Sequence, residues 1–73
     1  MKTLKELHIG ESGTITRMKT SGALRQRFMG MGITKGTEVK VIKIAPLGDP
    51  IEIEIRGYNL SVRKEDAAKI ELE

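Results

Sequence analysis

The chain is predicted to be mainly β: a small, strongly bent antiparallel barrel of about five short strands with one inserted short α-helix. Three observations predict it. Ile51, Ile53 and Ile55 alternate with Glu52, Glu54 and Arg56, which sets one face of a strand on a core and the other in water. Other short β-branched runs recur between tight glycine-containing turns. The length, 73 residues, allows one domain, residues 1–73, and one core. A chain of this size buries only about 60% of the surface its unfolded form exposes. With no Cys it has neither a disulfide staple nor a thiolate metal site. Closing a sheet on itself, or pairing with another subunit as a weak homo-oligomer, is the natural compensation, because either leaves few free strand edges.

The elements follow in order. Leu4 and Leu7 lie three apart, which suits a short apolar turn packed on the core. Gly10-Glu11-Ser12-Gly13 is rich in turn residues. Thr14, Thr16 and Met18 then alternate with Ile15 and Arg17 in a first strand. A helix comes next, with Thr20 or Ser21 as its cap, since a hydroxyl oxygen accepts from the free N–H groups of a first turn. Leu24, Phe28 and Met31 recur at i, i+4, i+7 as its buried stripe, while Arg25, Gln26 and Met29 lie towards other faces. Gly22 and Gly30 weaken this helix, and Gly32 is placed to take the left-handed conformation that ends it.

Residues 37–44 are β-branched and half apolar. Val39 and Val41 share one parity, Ile42 and Ile44 the other, a switch that predicts a bulge or bend. Ala45-Pro46-Leu47-Gly48 fits a type I turn, with Pro second and Gly fourth. After the alternating strand, Gly57-Tyr58 reads as a two-residue hairpin turn in which Gly supplies the positive φ. Leu60 and Val62 return inward, residues 64–68 allow one helical turn, and Ile70 and Leu72 close with a last strand.

Composition excludes several functions. Nucleophilic catalysis needs a hydroxyl or thiol beside a base, and the single His, His8, falls on a short turn where a surface or packing role is the ordinary one. Glu52 and Glu54 share an exposed strand face without further ligands, so no metal site is assigned, and no cofactor is expected. Gly30-Met31-Gly32 resembles the start of a dinucleotide fingerprint, but the next Gly is at 36 instead of 35 and the glycines follow a helix instead of opening one. Lys35-Gly36-Thr37 likewise lacks the spacing of a P-loop. No window approaches a membrane span, and Met1-Lys2-Thr3-Leu4-Lys5-Glu6 lacks the apolar stretch of a signal peptide, so a soluble, cytoplasmic chain is expected.

Charge is informative through its distribution. The net charge is only +3, but residues 1–43 hold nine Lys/Arg against three Glu, and residues 44–73 hold four against seven acidic residues. Between Glu11 and Glu38 every charged residue is basic: Arg17, Lys19, Arg25, Arg27 and Lys35. Such a segment suits an acidic protein face, a nucleic acid or an anionic lipid, or is simply a solvated basic face. A small nucleic-acid-binding barrel using residues 17–35 is the alternative reading. One Phe and one Tyr leave it few stacking platforms, so phosphate attraction would have to suffice.

Taken together, the segments resemble the FeoA family. The resemblance runs from about Thr3 to Leu72 and rests on Leu4 and Leu7 before Gly10, Gly13 with Ile15, and the run Arg25-Gln26-Arg27-Phe28-Met29-Gly30-Met31-Gly32-Ile33-Thr34-Lys35-Gly36. Ala45-Pro46-Leu47-Gly48-Asp49-Pro50 and Leu60-Ser61-Val62-Arg63-Lys64 leading to Ala67 and Ile70 complete it. One departure is Lys35, where the family often has Pro before the glycine; it touches turn rigidity only.

The resemblance implies an SH3-like barrel, a cytoplasmic location and a non-enzymatic accessory or regulatory role in bacterial ferrous iron uptake. The implied partner is FeoB, a membrane permease with a cytoplasmic GTP-binding domain. The same barrel occurs at the C-terminus of metal-dependent repressors of the diphtheria toxin repressor type, as an intramolecular docking module. Neither use makes the barrel an enzyme. The candidate partner-binding residues are Arg25, Arg27 and Met29 on the helix and Leu47, Gly48 and Asp49 in the loop. Arg offers fork-like donors to interface carboxylates, and an exposed Leu or Met can anchor in a pocket.

Overall fold

The structure, a computed structural model, describes residues 2–73. Its strands are β1 (Lys2–Thr3), β2 (Ser12–Met18), β3 (Glu38–Ile44), β4 (Ile51–Ile55), β5 (Tyr58–Val62) and β6 (Ile70–Leu72). The helices are α1 (Gly22–Gly30) and α2 (Lys64–Ala67), and a 3-10 turn spans Leu4–Glu6. The strands pair antiparallel in the order β1-β6-β2-β3-β4-β5. The mainly β fold with one inserted helix is as expected. The strand beyond the expected five is β1, whose two residues pair with Leu72 and Glu71 of β6.

Bending is concentrated in two strands. The first half of β2 pairs with β3 through Ser12, Gly13 and Thr14, and its second half pairs with β6. Within the β2–β6 ladder the register slips between Ile15, opposite Leu72, and Arg17, opposite Glu71, so one strand serves two directions of sheet. Gly13 permits this at close quarters: a Cβ there would stand 3.2 Å from Leu72 Cδ1. The second slip lies in β3 between Val41 and Lys43, where the switch of apolar parity predicted it. Val39 and Val41 are buried before the slip, Ile42 sits in it and Ile44 follows it, both half-buried.

The core collects one face from each element. Ile51, Ile53 and Ile55 of β4 are buried, opposite Ile44, Val41 and Val39 of β3 respectively. Leu4 and Leu7 are buried in the same cluster, as their spacing predicted. From α1 only Phe28 is fully buried; Leu24 and Met31 are partly buried against the same cluster, with Met31 just past the helix. Met29 is 52% exposed. Gly32 takes φ +88° and turns the chain so that the buried Ile33 follows.

Two local expectations are corrected. Ser21 occupies the cap position of α1, but neither it nor Thr20 makes a side-chain capping bond. The β4–β5 turn is Arg56-Gly57, one residue earlier than Gly57-Tyr58, since Ile55 pairs directly with Tyr58. Both central residues have positive φ, 52° and 85°, which is the type I′ geometry. The shift lets Tyr58 enter β5, where its hydroxyl donates to the Met31 carbonyl.

Candidate functional site

The six candidate residues divide into two groups around the helices. Short helix α2 organises the first. Asp49 Oδ1 accepts from the Lys64 backbone N–H at 3.0 Å, so a loop carboxylate holds a first-turn amide of α2. Two residues on, Asp66 Oδ2 accepts from Arg27 Nη2 at 3.3 Å. Gly48, at φ +86°, donates its N–H to the Ala45 carbonyl at 2.7 Å and closes the turn predicted there. Leu47 is left at the turn's apex, 94% exposed. Arg27, Gly48 and Asp49 therefore brace the frame on which Leu47 is presented.

Arg25 and Met29 form the second group. They are one helical turn apart, which sets them on one face of α1 away from Arg27. Arg25 lines an open cleft of about 800 Å³ together with Arg17, Lys19 and Lys35. The end of β2, the β2–α1 connection, the start of α1 and the α1–β3 turn each contribute to it. Met18 supplies an apolar wall, and Thr16, Thr20 and Ser21 supply hydroxyls. Four of the five basic residues between Glu11 and Glu38 thus converge, and Arg27 alone is directed elsewhere. Arg17, Lys19 and Lys35 are missed by a choice based on the family's motifs, although the unbroken basic run contained the signal.

Charge within the cleft is largely uncompensated. Lys19 Nζ bonds Glu71 Oε2 at 3.0 Å, while Arg17, Arg25 and Lys35 have no ion-pair partner among the described residues. The first turn of α1 carries no acidic side chain, so its free amides add to the positive potential.

His8 lies apart, on an exposed loop, with Nδ1 3.1 Å from Glu11 Oε1. Glu11 also accepts from the His8 backbone N–H at 2.7 Å. That backbone bond, then the side-chain bond, holds the Glu11 carboxyl below its ordinary range. Among the described residues no three His, Asp or Glu side chains gather in a way that could hold a metal ion. The aromatics are committed too: Phe28 is fully buried, and neither it nor Tyr58 lines the basic cleft. No helix among the described residues is long and apolar enough to cross a membrane.

A sheet bent round a single apolar cluster, with its distinctive chemistry confined to an exposed loop and an open cationic cleft, defines a small SH3-like barrel. The family model for the FeoA domain matches residues 2–73, and the chain belongs to the FeoA family. A fusion of Fe(2+) transport protein A with the Fe(2+) transporter FeoB, from Porphyromonas gingivalis, is 46% identical over 70 residues. That match covers 96% of this chain and 8% of the fusion protein, so the chain spans a small part of that relative. The solution structure of iron(II) transport protein A from Clostridium thermocellum has a TM-score of 0.94 at 39% identity, covering 97% of this chain and 44% of that one. FeoA of Stenotrophomonas maltophilia, crystallised with zinc and described as a prokaryotic SH3 domain protein, has a TM-score of 0.85. It covers 100% of this chain and 91% of that one at 22% identity, a likeness of fold alone.

Proposed function

We propose that this chain is a non-enzymatic accessory of bacterial ferrous iron uptake that docks, as a single domain of residues 1–73, on the cytoplasmic part of a FeoB-type permease. The observation that carries this reading is the fusion relative, in which a segment similar to 96% of this chain is joined covalently to the transporter. Fusion holds a module at high effective concentration beside what it works on. Ferrous iron is then the transporter's cargo and not a ligand of the barrel.

The geometry supports docking in two ways. Leu47 is almost fully exposed on a turn closed by the Gly48–Ala45 bond and held through Asp49 on α2, so an apolar anchor is presented on a rigid mount. Met29 and Arg25 offer a second apolar and cationic pair on α1. Titration of the labelled chain into full-length transporter in lipid nanodiscs tests the reading. Saturable binding is expected, weakened by Leu47→Glu and by Arg25→Glu with the fold intact. Failure of the wild-type chain to bind the transporter in any nucleotide state would remove it.

A further inference from the structure

We propose that the cleft walled by Arg17, Lys19, Arg25 and Lys35 receives an acidic, partly apolar polypeptide segment of the docking partner. The proposal rests on the docking reading above and assigns the chemistry of one contact within it.

Three observations point to this occupant. The first is unmatched charge. Glu71 is bonded to Lys19, and the guanidinium groups of Arg17 and Arg25 and the Lys35 ammonium have no carboxylate of their own. The uncapped first turn of α1, with no acidic residue, adds donors of the same sign.

The second is the form of the cationic heads. Two of the four are guanidinium groups, whose planar forks match carboxylates in pairs of parallel hydrogen bonds. The third is the apolar content of the wall. Met18 is half-buried there, and the aliphatic stems of the long cationic side chains flank it. A segment alternating carboxylates with small apolar side chains satisfies both surfaces. A nucleic acid would leave Met18 against sugar or phosphate and would find no aromatic in the cleft on which to stack a base.

The cleft is open and its charges face water, so binding is expected to be fast, salt-sensitive and moderate in strength. The test compares the wild-type chain with Arg17→Glu/Arg25→Glu/Lys35→Glu, all exposed positions, each variant checked for an unchanged backbone amide spectrum. The probes are full-length transporter in nanodiscs, a fluorescein-labelled peptide of alternating Glu and Ala, a single-stranded oligonucleotide of matched charge, and vesicles containing phosphatidylglycerol. Reversing these three exposed charges should weaken both transporter and peptide binding roughly ten- to hundredfold. The neutral variant Arg17→Gln/Arg25→Gln/Lys35→Gln should fall between, and the peptide should shift the amides of Arg17, Lys19, Thr20 and Arg25 while leaving Leu47 still.

If the transporter binds wild type and the reversed variant equally, this assignment is overturned and the docking reading stands. Tighter, cleft-dependent binding of the oligonucleotide or the vesicles also overturns it, in favour of that class of anion. If wild type ignores the transporter yet holds the peptide in the cleft, the docking reading falls while the cleft keeps its chemistry.

Discussion

Arg27 and Asp66, 39 positions apart in the chain, meet at 3.3 Å from Nη2 to Oδ2 and tie the inserted helix to the short helix before the last strand. Asp66 is only 7% exposed, whereas Arg27 remains largely in water. The pair therefore lies between the surface and buried limits. Arg27→Ala leaves a nearly buried carboxylate without its cation and is expected to cost about 1 kcal/mol, read as a lower urea midpoint at constant slope. A double-mutant cycle with Asp66→Ala should show positive coupling, and strict additivity would mean that the contact contributes nothing. It also follows that Arg27→Glu sets two carboxylates together, so charge reversal at Arg25 is the cleaner probe of docking.

The β4–β5 turn stores conformational cost in Arg56, a non-glycine residue at φ +52°. Its guanidinium compensates by donating to the Gly32 carbonyl at 3.4 Å and to the Thr34 and Thr37 hydroxyls at 3.2 and 3.1 Å. Arg56→Gly loses these bonds but relieves the backbone; Arg56→Ala loses them and keeps the strain. Stability should rank wild type, then Gly, then Ala, with about 1 kcal/mol between the last two. Thermal unfolding of the three proteins decides it, and Ala equal to Gly would show the turn to be unstrained.

Gly32 is required twice over. Its φ is +88°, and a Cβ would come within 3.2 Å of both Arg56 Cδ and Tyr58 Oη. Gly32→Ala is expected to cost more than about 1 kcal/mol, because the added strain exceeds any gain from restricting the unfolded chain. Tyr58→Phe, which removes only the bond to the Met31 carbonyl, should cost about 1 kcal/mol. Denaturant titration separates the two, and a stabilised alanine variant would contradict the geometry.

Phe28 is the one fully buried residue of α1 and the largest of the core. Phe28→Ala should cost about 3–5 kcal/mol, comparable with the roughly 3–5 kcal/mol that one core gives a chain of this size. Circular dichroism should show a largely unfolded variant at room temperature. Phe28→Leu should keep the fold at a lower melting temperature.

Glu11 should titrate below the ordinary glutamate range in the folded chain, because the His8 backbone N–H, more than its ring, stabilises the carboxylate. The side-chain carbon resonance followed by NMR checks this, and His8→Ala, which keeps the backbone N–H, should leave the carboxyl still lowered. The sign follows from linkage. The folded carboxyl is the stronger acid, so its stabilisation is complete above the unfolded glutamate pKa and is lost as pH falls through the folded value. An unshifted midpoint would mean that the loop bond does not persist in solution.

Much of this molecule was decided locally. The alternation of Ile51, Ile53 and Ile55, the parity switch after Val41, the Ala45-Pro46-Leu47-Gly48 turn and the Gly32 stop are legible in the chain because each depends on neighbours within a few residues. Tertiary structure decided what depends on distant neighbours. The hairpin turn sits on Arg56-Gly57 because Arg56 reaches Gly32, Thr34 and Thr37, and Tyr58 reaches Met31, contacts that outweigh glycine's preference at the first turn position. Arg27 found Asp66, Asp49 found the Lys64 amide, and four cations from separate elements came to share one cleft. Local periodicity states which face of an element is apolar; only the bent sheet determines which polar groups then meet, because its bulges and registers set their separation in space.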